Sequence, residues 1–328
     1  MIGVLSGMRR ILSMYLNVLD NKIKEKIMDF VPNIEVAKNC VRLDKFSPYS
    51  PAYVITNEDL RQSMQFVPKN CNRALVTAAS GDHPLFCSLY GARQVDTFDI
   101  SYNAKCIVDI KTAALKCMGH VAYIELLKNL HLCQNIQHVP DMEYISKMIP
   151  KTEWEYMCSM AGSQIFSNGI VIKDDNTHLV NYKEYKKLQK IVKGPYNFIM
   201  TDIANLSGYL TGTYDFIHLS NILDYRHTIS ARLYTIFPLL KHVKVGGRIV
   251  CYNLVGLNWE DVHPIEHFEE LVENLKKDKY FDRIDRETEW LFKQHKNEIA
   301  KAEKMCDSDF KNFDYTKIGD MVIFERLR

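Results

Sequence analysis

Six segments with the composition of short buried strands recur along the chain, and their alternation with helical segments constrains the fold more than any other feature. The strand segments are residues 73–78, 94–100, 197–202, 214–220, 248–252 and 319–325. Residues 84–90 and 107–117 have the spacing of helices and follow the first two strands. Strands that alternate with helices predict an α/β fold with a mostly parallel, twisted sheet and helices on both faces.

Two regions depart from this rhythm. Residues 8–30 carry apolar residues at helical spacing and predict an N-terminal helix. The region from about 120 to 190 is mostly helical in pattern and rich in aromatic residues, so we interpret it as a helical insertion. We therefore expect an N-terminal helical region or cap over residues 1–68 and an α/β domain over 69–328 that contains the insertion. The charged stretch between residues 252 and 319 is also interpreted as helical.

Charge and cysteine content narrow the class of protein. The formal net charge is +2 over 328 residues, which disfavours nucleic acid as a partner. The nine cysteines are an odd number without a CxxC pair, which is typical of reduced core residues. No apolar stretch has the roughly 18 residues of a transmembrane helix, and the N-terminus is apolar before it is basic, the reverse of a secretory signal. We expect a cytoplasmic protein, while peripheral membrane contact and the oligomeric state stay open.

A loop of small residues directly follows the first strand, and an acidic residue ends the second. The small residues are Ala78, Ala79, Ser80 and Gly81. Such residues let the backbone turn sharply and approach a ligand closely. The Asp99 carboxylate can accept hydrogen bonds from both hydroxyls of a ribose, although capping of the next helix is an alternative role. Because the carboxyl ends of parallel strands share one edge, Asp202, Ser220 and Asn221 are expected nearby.

These motifs resemble those of class I S-adenosylmethionine (AdoMet) methyltransferases over about residues 70–255. The matching segments are Thr77–Gly81, Phe98–Ile100, Thr201–Ile203 and Leu240–Val250. The resemblance implies the class I AdoMet-transferase fold, with Ala79 and Gly81 at the methionine end of AdoMet, Asp99 on the ribose and Asp202 beside the adenine. The residues predicted to bind the cofactor are Ala78, Ala79, Ser80, Gly81, Asp99, Ile100, Asn103, Asp202, Ile203, Ser220 and Asn221. The chain departs from the family's first motif, because Thr77, Ala79 and a single glycine, Gly81, stand where the family has an acidic residue and three glycines.

A narrower resemblance fits this departure. The segments Thr77–Asp82, Phe98–Asn103, Asp109–Leu115 and Leu219–Tyr225 are similar to those of the AdoMet:diacylglycerol 3-amino-3-carboxypropyl transferases of betaine-lipid synthesis. This resemblance implies that the aminocarboxypropyl group of AdoMet, rather than its methyl group, is transferred to a small-molecule or lipid-head-group acceptor.

Two residues after the fourth strand are the candidates for catalysis. Asp224 can accept a proton or orient an amine, and Tyr225 can orient the acceptor with it. Helix capping is the alternative role for Asp224. No metal site is expected. A methyltransferase remains an alternative within the same class, and a non-catalytic AdoMet- or nucleotide-binding module remains one of another class.

Overall fold

The computed structural model describes residues 30–40, 47–167, 181–192, 194–225, 235–236, 238–252, 313–318 and 321–327. The strands are β1 (Ala52–Tyr53), β2 (Arg73–Thr77), β3 (Gln94–Asp99), β4 (Phe166–Ser167), β5 (Asn197–Met200), β6 (Tyr214–His218), β7 (Val243–Tyr252), β8 (Phe313–Ile318) and β9 (Met321–Arg326). The helices are α1 (Ile34–Cys40), α2 (Leu60–Met64), α3 (Asp82–Leu89), α4 (Tyr102–Cys117), α5 (His120–Leu132), α6 (Met142–Ser146), α7 (Lys151–Ser159) and α8 (Tyr182–Ile191). The predicted N-terminal helix lies outside these residues, apart from Phe30.

One mixed sheet dominates the described part of the chain, with the strand order β5-β3-β2-β6-β7-β9-β8. The first five strands of that order pair in parallel, and β9 pairs antiparallel with both β7 and β8. A separate parallel pair joins β1 to β4. The predicted α/β fold with a mostly parallel, Rossmann-like sheet is therefore confirmed.

Two details of the sheet differ from the sequence prediction. Strand β7 begins at Val243, before the predicted start at Arg248, and its register with β6 shifts between Tyr214 and Phe216. Residues 313–318 form β8, so the helical interpretation of this charged stretch is wrong there. An antiparallel strand at the edge of a sheet tolerates charged residues, which hides it from a search for apolar runs.

Apolar residues cover both faces of the sheet. On β2, Ala74 and Val76 belong to the core that packs under α3, α4 and α5, whereas Leu75 belongs to the core on the opposite face. This alternation is what a pleated strand buried on both sides requires. Among the described residues, no helix has the length and apolar character needed to cross a membrane.

A buried polar cluster fixes the register of the three central strands at their amino ends. The guanidinium of Arg73 on β2 donates to the fully buried carboxylate of Asp96 on β3, with a closest contact of 2.6 Å. The Tyr214 hydroxyl on β6 donates to the same carboxylate at 2.9 Å. The guanidinium also lies 4.5 Å from the centre of the Tyr214 ring. Because the register is fixed here, the opposite ends of these strands are held in place to form a site.

Candidate functional site

A cavity of about 220 Å³ opens at the carboxyl ends of β2, β3, β5 and β6. The chain runs outward from β2 to β3 and β5 on one side, and through β6 and β7 on the other. The order of the strands thus reverses between β2 and β6, and open α/β sheets bind ligands at such a reversal. The segment from Ser50 to Glu58 covers the cavity from outside the sheet.

Eight of the predicted cofactor residues line this cavity: Ala79, Ser80, Asp99, Ile100, Asp202, Ile203, Ser220 and Asn221. The other three, Ala78, Gly81 and Asn103, are not part of the lining. The ends of four strands that are distant in sequence therefore meet at this cavity. The three remaining residues lie next to lining residues in the chain or in the following helix without contacting the cavity themselves.

The loop after β2 adopts a backbone that few residues tolerate. Ala79 has φ +45° and Gly81 has φ +81°. A Cβ on Gly81 would lie 3.3 Å from the Val108 Cα and 3.2 Å from the Lys111 Cδ, so both the backbone conformation and the helix packing favour glycine here. A left-handed alanine costs of order 1–2 kcal/mol, and such strain persists where the surroundings enforce it, often at functional sites.

The Asp99 carboxylate lies half-buried on the cavity wall. Its Oδ2 accepts a hydrogen bond from the Ala79 N–H and its Oδ1 accepts one from the Ser101 N–H, both at 3.0 Å. Each carboxylate oxygen has a further lone pair, so both oxygens can still accept from a ligand hydroxyl. Burial raises the pKa of Asp99, and the backbone N–H groups that favour its charged form only partly oppose this effect.

A buried ion pair anchors the same loop. The Lys111 Nζ on α4 lies 2.5 Å from the Asp82 Oδ1 at the start of α3, and both side chains are fully buried. The other Asp82 oxygen accepts from the Thr56 N–H at 2.8 Å and from the Ser80 hydroxyl at 2.9 Å. Asp82 therefore joins the loop, helix α4 and the segment that covers the cavity.

Asn103 holds the covering segment rather than the cavity itself. Its amide nitrogen donates to the backbone oxygens of Tyr49 and Ser50 at 3.0 and 3.1 Å. Its amide oxygen accepts from the Tyr156 hydroxyl at 3.0 Å. Because all these groups are within the protein, Asn103 supports the cavity by positioning residues 49–50.

A polar cluster that the sequence patterns did not predict lies at one end of the cavity. Glu58, His83 and Ser220 line this end, and His218, the last residue of β6, lies directly behind it. The Glu58 Oε1 accepts from the Ser220 hydroxyl, and its Oε2 lies 3.2 Å from the His83 Nε2. The Ser220 N–H donates to the His218 Nδ1 at 3.2 Å. A histidine within the apolar run of β6 was the only sequence signal for this cluster.

The electrostatics of this cluster favour a negative carboxylate beside a neutral imidazole. Burial acts to raise the pKa of Glu58, but His83, His218 and the Ser220 hydroxyl outweigh burial and lower this pKa to about 2. Burial, with repulsion from His83, lowers the pKa of His218 to about 3. The Glu58 carboxyl is therefore ionised at neutral pH.

The two predicted catalytic residues, Asp224 and Tyr225, come shortly after the cavity-lining segment 220–222 in the chain. The backbone of Asp224 and Tyr225 forms a short 3-10 helix, Ile222–Tyr225, that begins at the cavity-lining Ile222. Their side chains lie outside the described part of the structure. Their catalytic role stays a prediction.

Comparison with known proteins gives distant similarities alone. No family model matches the chain, and no curated protein matches it in sequence. Among solved structures, it is similar to an rRNA methylase from Streptococcus thermophilus at 11% identity and a TM-score of 0.33, over 84% of this chain and 99% of that one. It is also similar to the rRNA methyltransferase aviRa from Streptomyces viridochromogenes, at 12% identity and a TM-score of 0.37, over 88% and 92%.

A third similar structure contains a product of AdoMet. It is the N-methyltransferase NodS from Bradyrhizobium japonicum in complex with S-adenosylhomocysteine, at 10% identity and a TM-score of 0.28, over 66% of this chain and 71% of that one. Likenesses this distant transfer neither substrate nor activity, so function has to be argued from the cavity.

Proposed function

We propose that this chain is an AdoMet-dependent transferase that binds its cofactor along the carboxyl ends of β2, β3 and β5. The observation that carries the proposal is the Asp99 carboxylate, held by two backbone N–H groups at 3.0 Å with lone pairs left at the cavity. In this proposal Asp99 accepts from the ribose hydroxyls, and Asp202 and Ile203 flank the adenine. The methionine end then lies near Ala79 and Ser80.

The second part of the proposal concerns the group that is transferred. AdoMet carries its own activation as a sulfonium, so the protein chiefly has to place an acceptor in line with one carbon. The methionine end would lie against a strained loop without the usual glycines and near the polar end of the cavity formed by Glu58, His83 and Ser220. If these groups hold the amino-acid tail in another position than in methyltransferases, the tail carbon bonded to sulfur, rather than the methyl carbon, faces the acceptor. This supports transfer of the aminocarboxypropyl group to a small-molecule or lipid-head-group acceptor. Methyl transfer is the alternative.

Calorimetric titration with S-adenosylhomocysteine tests the cofactor site. Asp99→Asn keeps the shape of the side chain but replaces one acceptor oxygen with an amide nitrogen. We expect affinity to fall about 10- to 100-fold, since charge-assisted hydrogen bonds contribute about 1.5–3 kcal/mol. Asp141→Asn is the matched control, because Asp141 is exposed, lies outside the cavity lining and has φ +66°, which asparagine tolerates. No binding by the wild type, or equal affinity in both variants, would contradict the proposal.

A further inference from the structure

Three potential metal ligands meet at the wall of the cavity, from three separate parts of the fold. Glu58 precedes α2, His83 lies in the first turn of α3, and His218 ends β6. A carboxylate oxygen and one nitrogen from each imidazole all lie within 4.8 Å of one another. The centres of the two imidazole rings are 5.3 Å apart. The fold thus brings one carboxylate and two imidazoles together at a single point.

Two of the buried imidazole nitrogens have no hydrogen-bond partner among the described residues. They are the His83 Nδ1 and the His218 Nε2, on side chains that are 1% and 0% exposed. Buried polar atoms are nearly always paired, and an orphaned one calls for an explanation such as an ion or a water. Each imidazole of the cluster thus has hydrogen-bonding capacity that the described residues leave unsatisfied, which is compatible with a bound species at this point.

The spacing of the donor atoms suits a small divalent cation. Zinc lies about 2.0–2.1 Å from imidazole nitrogens and carboxylate oxygens, so two ligand atoms at a tetrahedral angle are about 3.3 Å apart. The His83 Nε2 and the Glu58 Oε2 are 3.2 Å apart. Each imidazole has to ligate through an unprotonated nitrogen. The ion would therefore take the place of the proton between the His83 Nε2 and the Glu58 Oε2, and of the Ser220 N–H at the His218 Nδ1.

We propose that Glu58, His83 and His218 bind a divalent transition-metal ion, with Zn²⁺ as the best-matched probe. Two imidazoles select Zn²⁺, Co²⁺ or Fe²⁺ over Mg²⁺ and Ca²⁺, which prefer ligand sets made only of oxygen. Three protein ligands leave a coordination position open, as in catalytic zinc sites. Glu58 and His83 line the cavity, so that position faces it and can take an oxygen or nitrogen atom of a bound molecule.

The groups around the cluster are those that orient metal ligands elsewhere. The Ser220 hydroxyl and, at 3.4 Å, the Asn221 N–H both donate to the Glu58 Oε1, which leaves Oε2 directed at His83. Ligating carboxylates are commonly held in this way, and loss of such a partner weakens metal affinity about 10- to 100-fold. Ser220 has φ +57°, so the backbone is held in an uncommon conformation at the residue that orients Glu58. The sequence predicts no metal site because these ligands share no motif.

The test is direct metal binding by the full chain after removal of metals with a chelator. Calorimetric titration with Zn²⁺ should show one site, and Co²⁺ should give d–d absorption bands without a thiolate charge-transfer band. Glu58→Gln and His83→Gln should each weaken Zn²⁺ binding more than the 10- to 100-fold expected of Ser220→Ala. His138→Gln is the control, because His138 is exposed and lies outside the cavity lining.

Each outcome decides the proposal. Absence of Zn²⁺ binding by the wild type overturns it, and so does a thiolate band, which would assign the metal to cysteines. Binding that is undiminished in Glu58→Gln and His83→Gln also overturns it. If either glutamine variant lacks the wild-type circular dichroism spectrum, the test rests on Ser220→Ala, which removes only a hydroxyl. Zn²⁺ binding that is as tight in Ser220→Ala as in the wild type would then overturn the proposal. The inference concerns ion binding alone and does not rest on the proposed transferase activity.

Discussion

Lys111→Met is expected to destabilise the fold strongly, because it leaves the Asp82 carboxylate buried without its counter-charge. Both side chains are fully buried, and the Lys111 Nζ lies 2.5 Å from the Asp82 Oδ1. Removing one partner of a buried pair typically costs about 3–5 kcal/mol. The hydrogen bonds from Thr56 and Ser80 remain and compensate in part, so we expect about 3 kcal/mol. In a domain of this size that loss lowers Tm by roughly 6–12 °C.

Urea unfolding followed by circular dichroism measures this loss. Lys128→Met is the matched control, because Lys128 pairs with Glu125 at 2.8 Å on the surface, with both side chains at least half exposed. Exposed pairs contribute about 0–1 kcal/mol, so the control should change little. The double variant Asp82→Asn/Lys111→Met should recover part of the stability, since no uncompensated charge remains. A loss below about 1 kcal/mol in Lys111→Met, or equal to that of Lys128→Met, would refute the electrostatic role of the pair.

Two further predictions concern the cofactor loop and Asp99. Gly81→Ala should lower the free energy of unfolding in urea by about 1 kcal/mol more than Gly246→Ala does. Both glycines have positive φ, at +81° and +74°, but of the two only Gly81 has backbone and side-chain atoms within 3.4 Å of an added Cβ. Equal losses of stability would show that the helix packing tolerates a methyl group. For Asp99, burial raises the pKa, so protonation on acidification removes the acceptor at a higher pH than for an exposed aspartate. Affinity for S-adenosylhomocysteine should therefore fall as the pH is lowered in the wild type but not in Asp99→Asn. Parallel pH profiles of the two proteins in calorimetry would contradict this role.

The central sheet was predictable because its strands are apolar runs with few alternatives. Residues such as Leu75 and Val76 are buried on opposite faces, so a continuous apolar run identifies their strand without any knowledge of tertiary structure. Strand β8 was missed for the converse reason. At the edge of the sheet it mixes charged and polar residues with apolar ones, as in Asp314, Thr316 and Lys317, and so lacks the continuous apolar run that identified the central strands.

The candidate site was predictable only where chain order determines position. Asp99 and Asp202 follow parallel strands, so both had to reach the same edge of the sheet. Glu58 and His83 form a hydrogen bond across 25 residues, and neither lies at the end of a strand. Their meeting depends on how the covering segment packs, which local sequence patterns do not encode. Asn103 was predicted to contact the cofactor, but its side chain holds backbone oxygens of that same segment.

The measurement that tests the central claim most directly is identification of the nucleoside formed from AdoMet by mass spectrometry. The purified chain is incubated with AdoMet and a cell extract, alongside Asp99→Asn and a control without protein. We predict methylthioadenosine above the level of spontaneous breakdown, with the excess reduced in Asp99→Asn. S-adenosylhomocysteine as the sole product would replace aminocarboxypropyl transfer with methyl transfer. AdoMet recovered bound and uncleaved, with neither product formed, would contradict the transferase function and leave a binding module.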